Sequence, residues 1–194
     1  MSRMLQPIYS RKVLITNPNR FFAELSGRDP NLLAPFVIVL ITATISAVST
    51  AMMPYNSGAA AEVAIRLITP FIWWFLFAGA FYALSIFFRG AGSFKRVLEF
   101  TGYGFIPQIL SAIFNAIIMH ALLPLLASLP QFTLYAIAIA SLLLFLWSAA
   151  IWAFAVKHAR NLSTQDALFT VVGGVVAGWL LMWGTIYIIA DIIN

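Results

Sequence analysis

Cysteine is absent from the chain, which excludes disulfides and thiolate metal sites and leaves no trace of the redox compartment. Charge is scarce. Asp, Glu, Lys and Arg make up 9% of the 194 residues, against roughly 25% in a soluble domain that must hydrate its own surface. No stretch mixes polar and apolar residues densely enough to build such a domain. Enzyme signatures are missing as well: there is no H-E-x-x-H zinc motif, no paired intramembrane Asp and no Gly-Lys-Ser/Thr phosphate loop. A serine dyad stays open in principle, but His158 and Glu99 lie in basic connections with no nucleophile motif beside them. The expectation is a non-enzyme without cofactor or bound metal.

What the chain has is hydrophobicity, 62% of its residues, with a mean hydropathy of +0.96. Lipid must replace water around much of it. Leu33 to about Met53 is uncharged throughout. Leu67–Phe88 gives 22 uncharged residues between Arg66 and Arg89, and Phe100–Val156 gives 57. About 20 apolar residues cross a hydrocarbon core roughly 30 Å thick, so the longest run holds two spans joined near Pro124 and Pro130. Five spans follow, near 33–53, 67–88, 106–126, 132–156 and 167–190, forming an all-α polytopic membrane bundle over 32–194. Runs such as Ala138–Phe145 do not alternate, which excludes barrel strands. No signal peptide is expected, since the first apolar run follows about thirty polar-rich residues.

The formal charge of +5 does not imply nucleic acid, because the basic residues cluster beside the apolar runs. Arg3, Arg11, Lys12, Arg20 and Arg28 precede the first span; Arg89, Lys95 and Arg96 follow the second; Lys157 and Arg160 follow the fourth. Ten of eleven therefore fall on one side, with Arg66 as the exception. The positive-inside rule makes that side cytoplasmic, with the N-terminus inside and the C-terminus outside. Tyr55, Tyr135 and Tyr187 come near outer ends and Tyr103 near an inner one, as amphipathic rings prefer. A prokaryotic source would put the protein in the cell membrane.

Residues 1–31 read as a cytoplasmic arm carrying a short interfacial helix. Asn17 caps its start, Pro18 occupies the first helical position, and Phe21, Phe22 and Leu25 share one side. A second informative stretch runs from Arg89 to Pro107. Gly90 and Gly92 break the second helix, Ser93 caps a short new one, and Gly102 and Gly104 let the backbone turn into a span opened by Pro107. Lys95 and Arg96 would sit near anionic headgroups. This stretch reads either as a structured re-entry corner or as a docking surface on the cytoplasmic face.

Ionisable groups at membrane depth are few. Glu62 and Arg66 are spaced to pair on one helix face, and His120, with no second His, Asp or Glu near it, reads as a hydrogen-bonded or interface-level histidine ahead of a proton relay or metal ligand. Together they are the polar residues around which a transport path would form. Asp191 lies in the tail. Gly174-x-x-x-Gly178, like Ala43, Ala47 and Ala51, permits close helix packing.

Asn17-Pro18-x-x-Phe21-Phe22 before the first span, Gly90-x-Gly92-Ser93-Phe94 after the second and Gly102-Tyr103-Gly104-x-x-Pro107 at the third resemble the Yip-domain family. These are five-span membrane proteins named for Rab-GTPase-interacting members. The resemblance covers nearly the whole chain and implies a cytoplasmic N-terminus. The chain lacks the long cytoplasmic N-terminal region and the acidic Asp-Leu-x-Gly-Pro type motif usual in eukaryotic members, so it looks more like the compact prokaryotic versions.

The expected role is a non-enzymatic membrane adaptor or organiser. It would present Asn17, Pro18, Phe22, Ser93, Lys95, Arg96, Gly102, Tyr103 and Pro107 to lipid headgroups or a cytoplasmic protein, or act as a homo-oligomer. The alternative is a small transporter or channel using Glu62, Arg66 and His120, formed by one copy or several.

Overall fold

A computed structural model describes residues 14–53, 59–122, 125 and 129–193, with backbone alone for 59, 122, 182 and 185–193. The turn expected at Pro54–Gly58, the side chains of Tyr187 and Asp191, and Pro124, Arg3, Arg11 and Lys12 lie outside what is described.

Helix α1 (Pro18–Ser26) starts where Asn17 Oδ1 accepts the Arg20 amide at 3.0 Å, satisfying one of the orphan donors every helix start leaves. Helix α2 is Leu33–Ala51. Helix α3 (Ala59–Phe87) runs 29 residues straight through Pro70. It begins eight residues before the expected second span, so Glu62 and Arg66 sit within its first turns. After Arg89 (φ 57°) and Gly92 (φ 119°) turn the chain, Ser93 caps α4 (Phe94–Tyr103), its Oγ accepting from the Arg96 amide at 3.3 Å. Helix α5 (Ile106–Ile117) ends in a π-helical turn, Ile118–Leu122. Helix α6 (Gln131–Arg160) stops at Asn161 in the left-handed region. There Ser163 accepts the Asp166 amide at 3.1 Å and donates back to its carboxylate at 2.7 Å, opening α7 (Thr164–Ile193).

Among the described residues, α2, α3, α6 and α7 are each long and apolar enough to cross a membrane. The third span departs from the expected unbroken helix over 106–126. A fifth crossing exists only if α4 and α5 count together as one segment bent by 43°. The reason is composition: α4 carries Lys95, Arg96 and Glu99, and α5 alone is twelve residues, about 18 Å at 1.5 Å per residue.

The helices close a ring in which α3 touches α2, α2 touches α5, α5 touches α6, α6 touches α7, and α7 returns to α3. Helix α4 lies across one end, against α2, α3 and α6, and α1 packs on α6. Gly174 and Gly178 face Phe81 and Phe77, so the small-residue stripe of α7 serves the α3 contact inside the bundle. Ala43 and Ala47 are buried, whereas Ala51 is exposed. Packing concentrates at the α4 end, where Trp74, Phe77, Phe81, Phe105 and Trp152 fill the ring. Elsewhere the spans face outward: only 11% to 33% of their apolar stretches are buried, with side chains such as Leu40, Ile68, Leu142 and Leu180 exposed, as lipid contact requires.

Candidate functional site

The packed end carries nearly every residue that the sequence singles out, and its geometry decides which of them are surface. Phe22 is fully buried, its ring 5.1 Å from Phe100, and Phe21 meets Tyr103 edge-on at 5.1 Å. The apolar side of α1 therefore docks on protein, and the arm helix belongs to the bundle. Gly102 is buried against Pro35 and Trp74, Pro107 is buried, and Tyr103 is half-buried. Phe22, Gly102, Tyr103 and Pro107 thus pack within the bundle where the sequence reading has a docking surface. Gly104 has an ordinary right-handed φ of −67°. Its lack of a side chain admits the Trp152 indole and is not needed for a turn.

Two polar clamps hold the corner. In the first, Arg96 points inward. Its guanidinium donates to Glu99 at 3.0 Å, to the Leu25 carbonyl at 3.4 Å and to the Arg28 carbonyl. It also stands 5.4 Å from the Phe100 ring centroid. Glu99, 1% exposed, accepts the Asn31 amide at 3.1 Å with its other oxygen. A buried carboxylate is tolerated only when paired and hydrogen-bonded in this way. The clamp ties the α1–α2 connection to α4.

The second clamp centres on Arg160, which sequence reasoning counts only as a topology charge. At 3% exposure, it donates Nε to the Ser85 hydroxyl at 2.7 Å and Nη2 to the Gly90 carbonyl at 2.5 Å, and bonds the Gly92 carbonyl through Nη1. Its guanidinium lies 4.4 Å from the Tyr82 centroid. The Ala91 amide returns a bond to the Arg160 carbonyl at 2.8 Å. Only the planar fork of arginine spans three acceptors and stacks on a ring at once. A basic residue ending an apolar run looks the same in sequence whether it snorkels or turns inward, and the Gly90-x-Gly92 break that it bonds lies about 70 residues away.

Two indoles complete the fixation of α4. Trp74 donates to the Leu98 carbonyl at 2.8 Å and Trp152 to the Thr101 carbonyl at 2.9 Å. At the edge, His158 bonds Asn19 at 2.9 Å. Outside this framework, Arg28, Arg89 and Lys95 present exposed side chains, and Asn17 and Ser93 are exposed but occupied as caps. Pro18 is half-buried.

Glu62 and Arg66 are both exposed on α3, and the ion pairs among the described residues are Arg20–Glu24 and Arg96–Glu99. The expected Glu62–Arg66 pair is not formed. His120 sits in the π-helical turn and bonds Ser49, 2.9 Å from its carbonyl and 3.3 Å from its hydroxyl, the hydrogen-bonded position anticipated for it. Among the described residues no three His, Asp or Glu side chains gather as metal ligands would.

Comparison with known proteins matches residues 12–173 to the Yip1 domain. An uncharacterized protein of Methanocaldococcus jannaschii is 38% identical over 113 residues, 51% of this chain and 80% of that protein. No solved structure matches.

Proposed function

From the premise that this chain belongs to the Yip1 domain family, we propose that it is a non-enzymatic membrane organiser whose rigid end holds a basic face against anionic headgroups. The supporting observation is how the corner divides its cations. Arg96 and Arg160 are engaged inside, whereas Arg28, Arg89 and Lys95 are exposed around the same corner. Two clamps and two indole bonds fix the backbone that carries the exposed set, so their charges are displayed at little ordering cost. Each cation near an anionic surface contributes about 1 kcal/mol of attraction. With the basic connections taken as cytoplasmic on their charge asymmetry, the face would meet the anionic inner leaflet.

The test is lipid retention. Protein extracted from a mixed membrane, carrying Arg28→Gln, Arg89→Asn and Lys95→Gln together, should keep its melting temperature and lose anionic lipid in native mass spectrometry. Asn is chosen at position 89 because it tolerates the left-handed backbone there. Unchanged lipid retention would refute the reading. A soluble protein recovered on the wild type and missing on the variant would instead identify a protein partner for the same face.

A further inference from the structure

Helix α3 turns one side into the bundle, where Trp74, Phe77, Ala78, Phe81 and Ser85 are buried. From Ile65, steps of four and three residues lead down the opposite side through Thr69, Ile72, Leu76, Gly79 and Ala83. Ile65, Ile72 and Ala83 are exposed, and the other three are half-buried. A seven-residue repeat of this kind is the seam of a left-handed helix pair, yet the chain's own helices lie on the other side of α3. Around Gly79 the seam sinks into an apolar groove of about 630 Å³, walled by Phe75 and by Leu181 of α7. Glycine weakens a helix interior. Gly104, Gly174 and Gly178 each admit an aromatic ring in return, but nothing lies within 4 Å of a Cβ on Gly79. Its reason for being small is outside the chain.

We propose that this face of α3 binds the same face of a second copy, forming a parallel homodimer in the membrane. Charge selects that occupant over lipid. Glu62, one step before Ile65 in the repeat, and Arg66, one turn after Glu62, stand at one end of the seam. Both are exposed, and neither forms an ion pair among the described residues. A lipid chain offers these charges nothing. A copy related by a two-fold axis along the membrane normal offers both a partner, because an isologous interface makes every contact twice: each Glu62 meets the Arg66 of the other copy. Further along, Gly79 faces its own counterpart, and two small surfaces let the backbones approach closely enough to close the groove. The exposed side of α6, by contrast, carries no formal charge from Gln131 to Val156 and suits lipid alone.

Native cysteine is absent, so single thiols report the contact. Ile72→Cys on the seam and Leu142→Cys, exposed on α6, are reconstituted in liposomes with lipid in large excess, after wild-type melting is confirmed, and then oxidised. Ile72→Cys should cross-link into dimers that persist on further lipid dilution, and Leu142→Cys should not. Adding Gly79→Leu, whose Cβ meets no neighbour in the single chain, should keep the melting temperature and remove the cross-link. The charges are tested by mixing. Ile72→Cys chains carrying Glu62→Arg, or carrying Arg66→Glu, should each cross-link severalfold less with their own kind. Differently tagged copies of the two, mixed, should recover the unmodified level, which pairing inside one helix cannot produce. Equal cross-linking at 72 and 142, or loss of both on dilution, would leave the groove to lipid chains and overturn the proposal. Cross-linking indifferent to Gly79→Leu, or mixing without recovery, would overturn it as well.

Discussion

Arg160 and Ser85, 75 positions apart in the chain, are joined by a 2.7 Å hydrogen bond where α3 nears its end and α6 stops before α7. The bond closes a knot in which one guanidinium satisfies carbonyls that a broken helix would leave bare. Removing the guanidinium takes the partner from the buried Ser85 hydroxyl and from the part-buried bonds to the Gly90 and Gly92 carbonyls. Arg160→Ala should cost on the order of 3 kcal/mol, read as a lowered melting temperature in detergent. Arg160→Lys should recover little of it, because an ammonium cannot reproduce the fork. Ser85→Ala should cost about 1 kcal/mol, and the double variant less than the sum, since both remove the same bond. Additive losses would show that the two side chains act independently.

Gly104 and Gly79 should respond in opposite directions to one methyl group. A Cβ on Gly104 would strike the Trp152 indole, whereas one on Gly79 has nothing within 4 Å. Gly104→Ala must push the indole off its bond to the Thr101 carbonyl, and overpacking of that kind costs about 1–3 kcal/mol. Gly79→Ala, in the interior of α3, should stabilise by up to about 1 kcal/mol through helix propensity. Thermal melts of the two variants side by side check this, and equal shifts would contradict the packing at Trp152.

Phe22 tests whether the arm helix is part of the bundle. With its ring fully buried against Phe100, Phe22→Ala should cost about 3–5 kcal/mol of local stability, which exceeds what the exposed Arg20–Glu24 pair of α1 can offset. Helix α1 should then detach while the spans stay folded, so trypsin would cut at Arg20 and Arg28 much faster in the variant. An unchanged digestion rate would show α1 held by something other than this ring.

How far the sequence reaches depends on which physical signal each feature leaves. Spans are legible because lipid demands an uninterrupted apolar run, and the caps at Asn17 and Ser93 because only short polar side chains satisfy bare amides at a helix start. The break at the third span was hidden. Hydropathy records that residues 100–126 are apolar, but not that α5 stops after twelve residues and gives way to a π-helical turn. The inward turn of Arg96 and Arg160 was hidden for a related reason. Their partners, Arg28 and Leu25 for one, Ser85 and Gly90 for the other, are mostly backbone carbonyls, and a carbonyl acceptor leaves no mark on residue identity. Phe22 misled in the same way, because an apolar side on a short basic helix suits a membrane interface and a protein core equally.

The bend between α4 and α5 sets the last prediction, since a bent pair is either a broken crossing or a re-entrant hairpin. The two differ in where Gln131 lies. Trp152 reaches the Thr101 carbonyl and Arg160 reaches the Gly90 carbonyl, so the C-terminal end of α6 and the start of α4 share one end of the bundle. Helix α6 is a continuous 30 residues, about 45 Å at 1.5 Å per residue, which carries Gln131 to the far end. The expectation is therefore that the chain crosses between Lys95 and Gln131, with α4 and α5 together making a broken crossing. In sealed vesicles of uniform orientation, thiols introduced as Lys95→Cys and Lys157→Cys should react with an impermeant maleimide from the same compartment. Gln131→Cys should react from the opposite one. Labelling of Lys95→Cys and Gln131→Cys from a shared side, with Lys157→Cys across the membrane from both, would establish the hairpin and reverse the orientation assigned to α6 and α7.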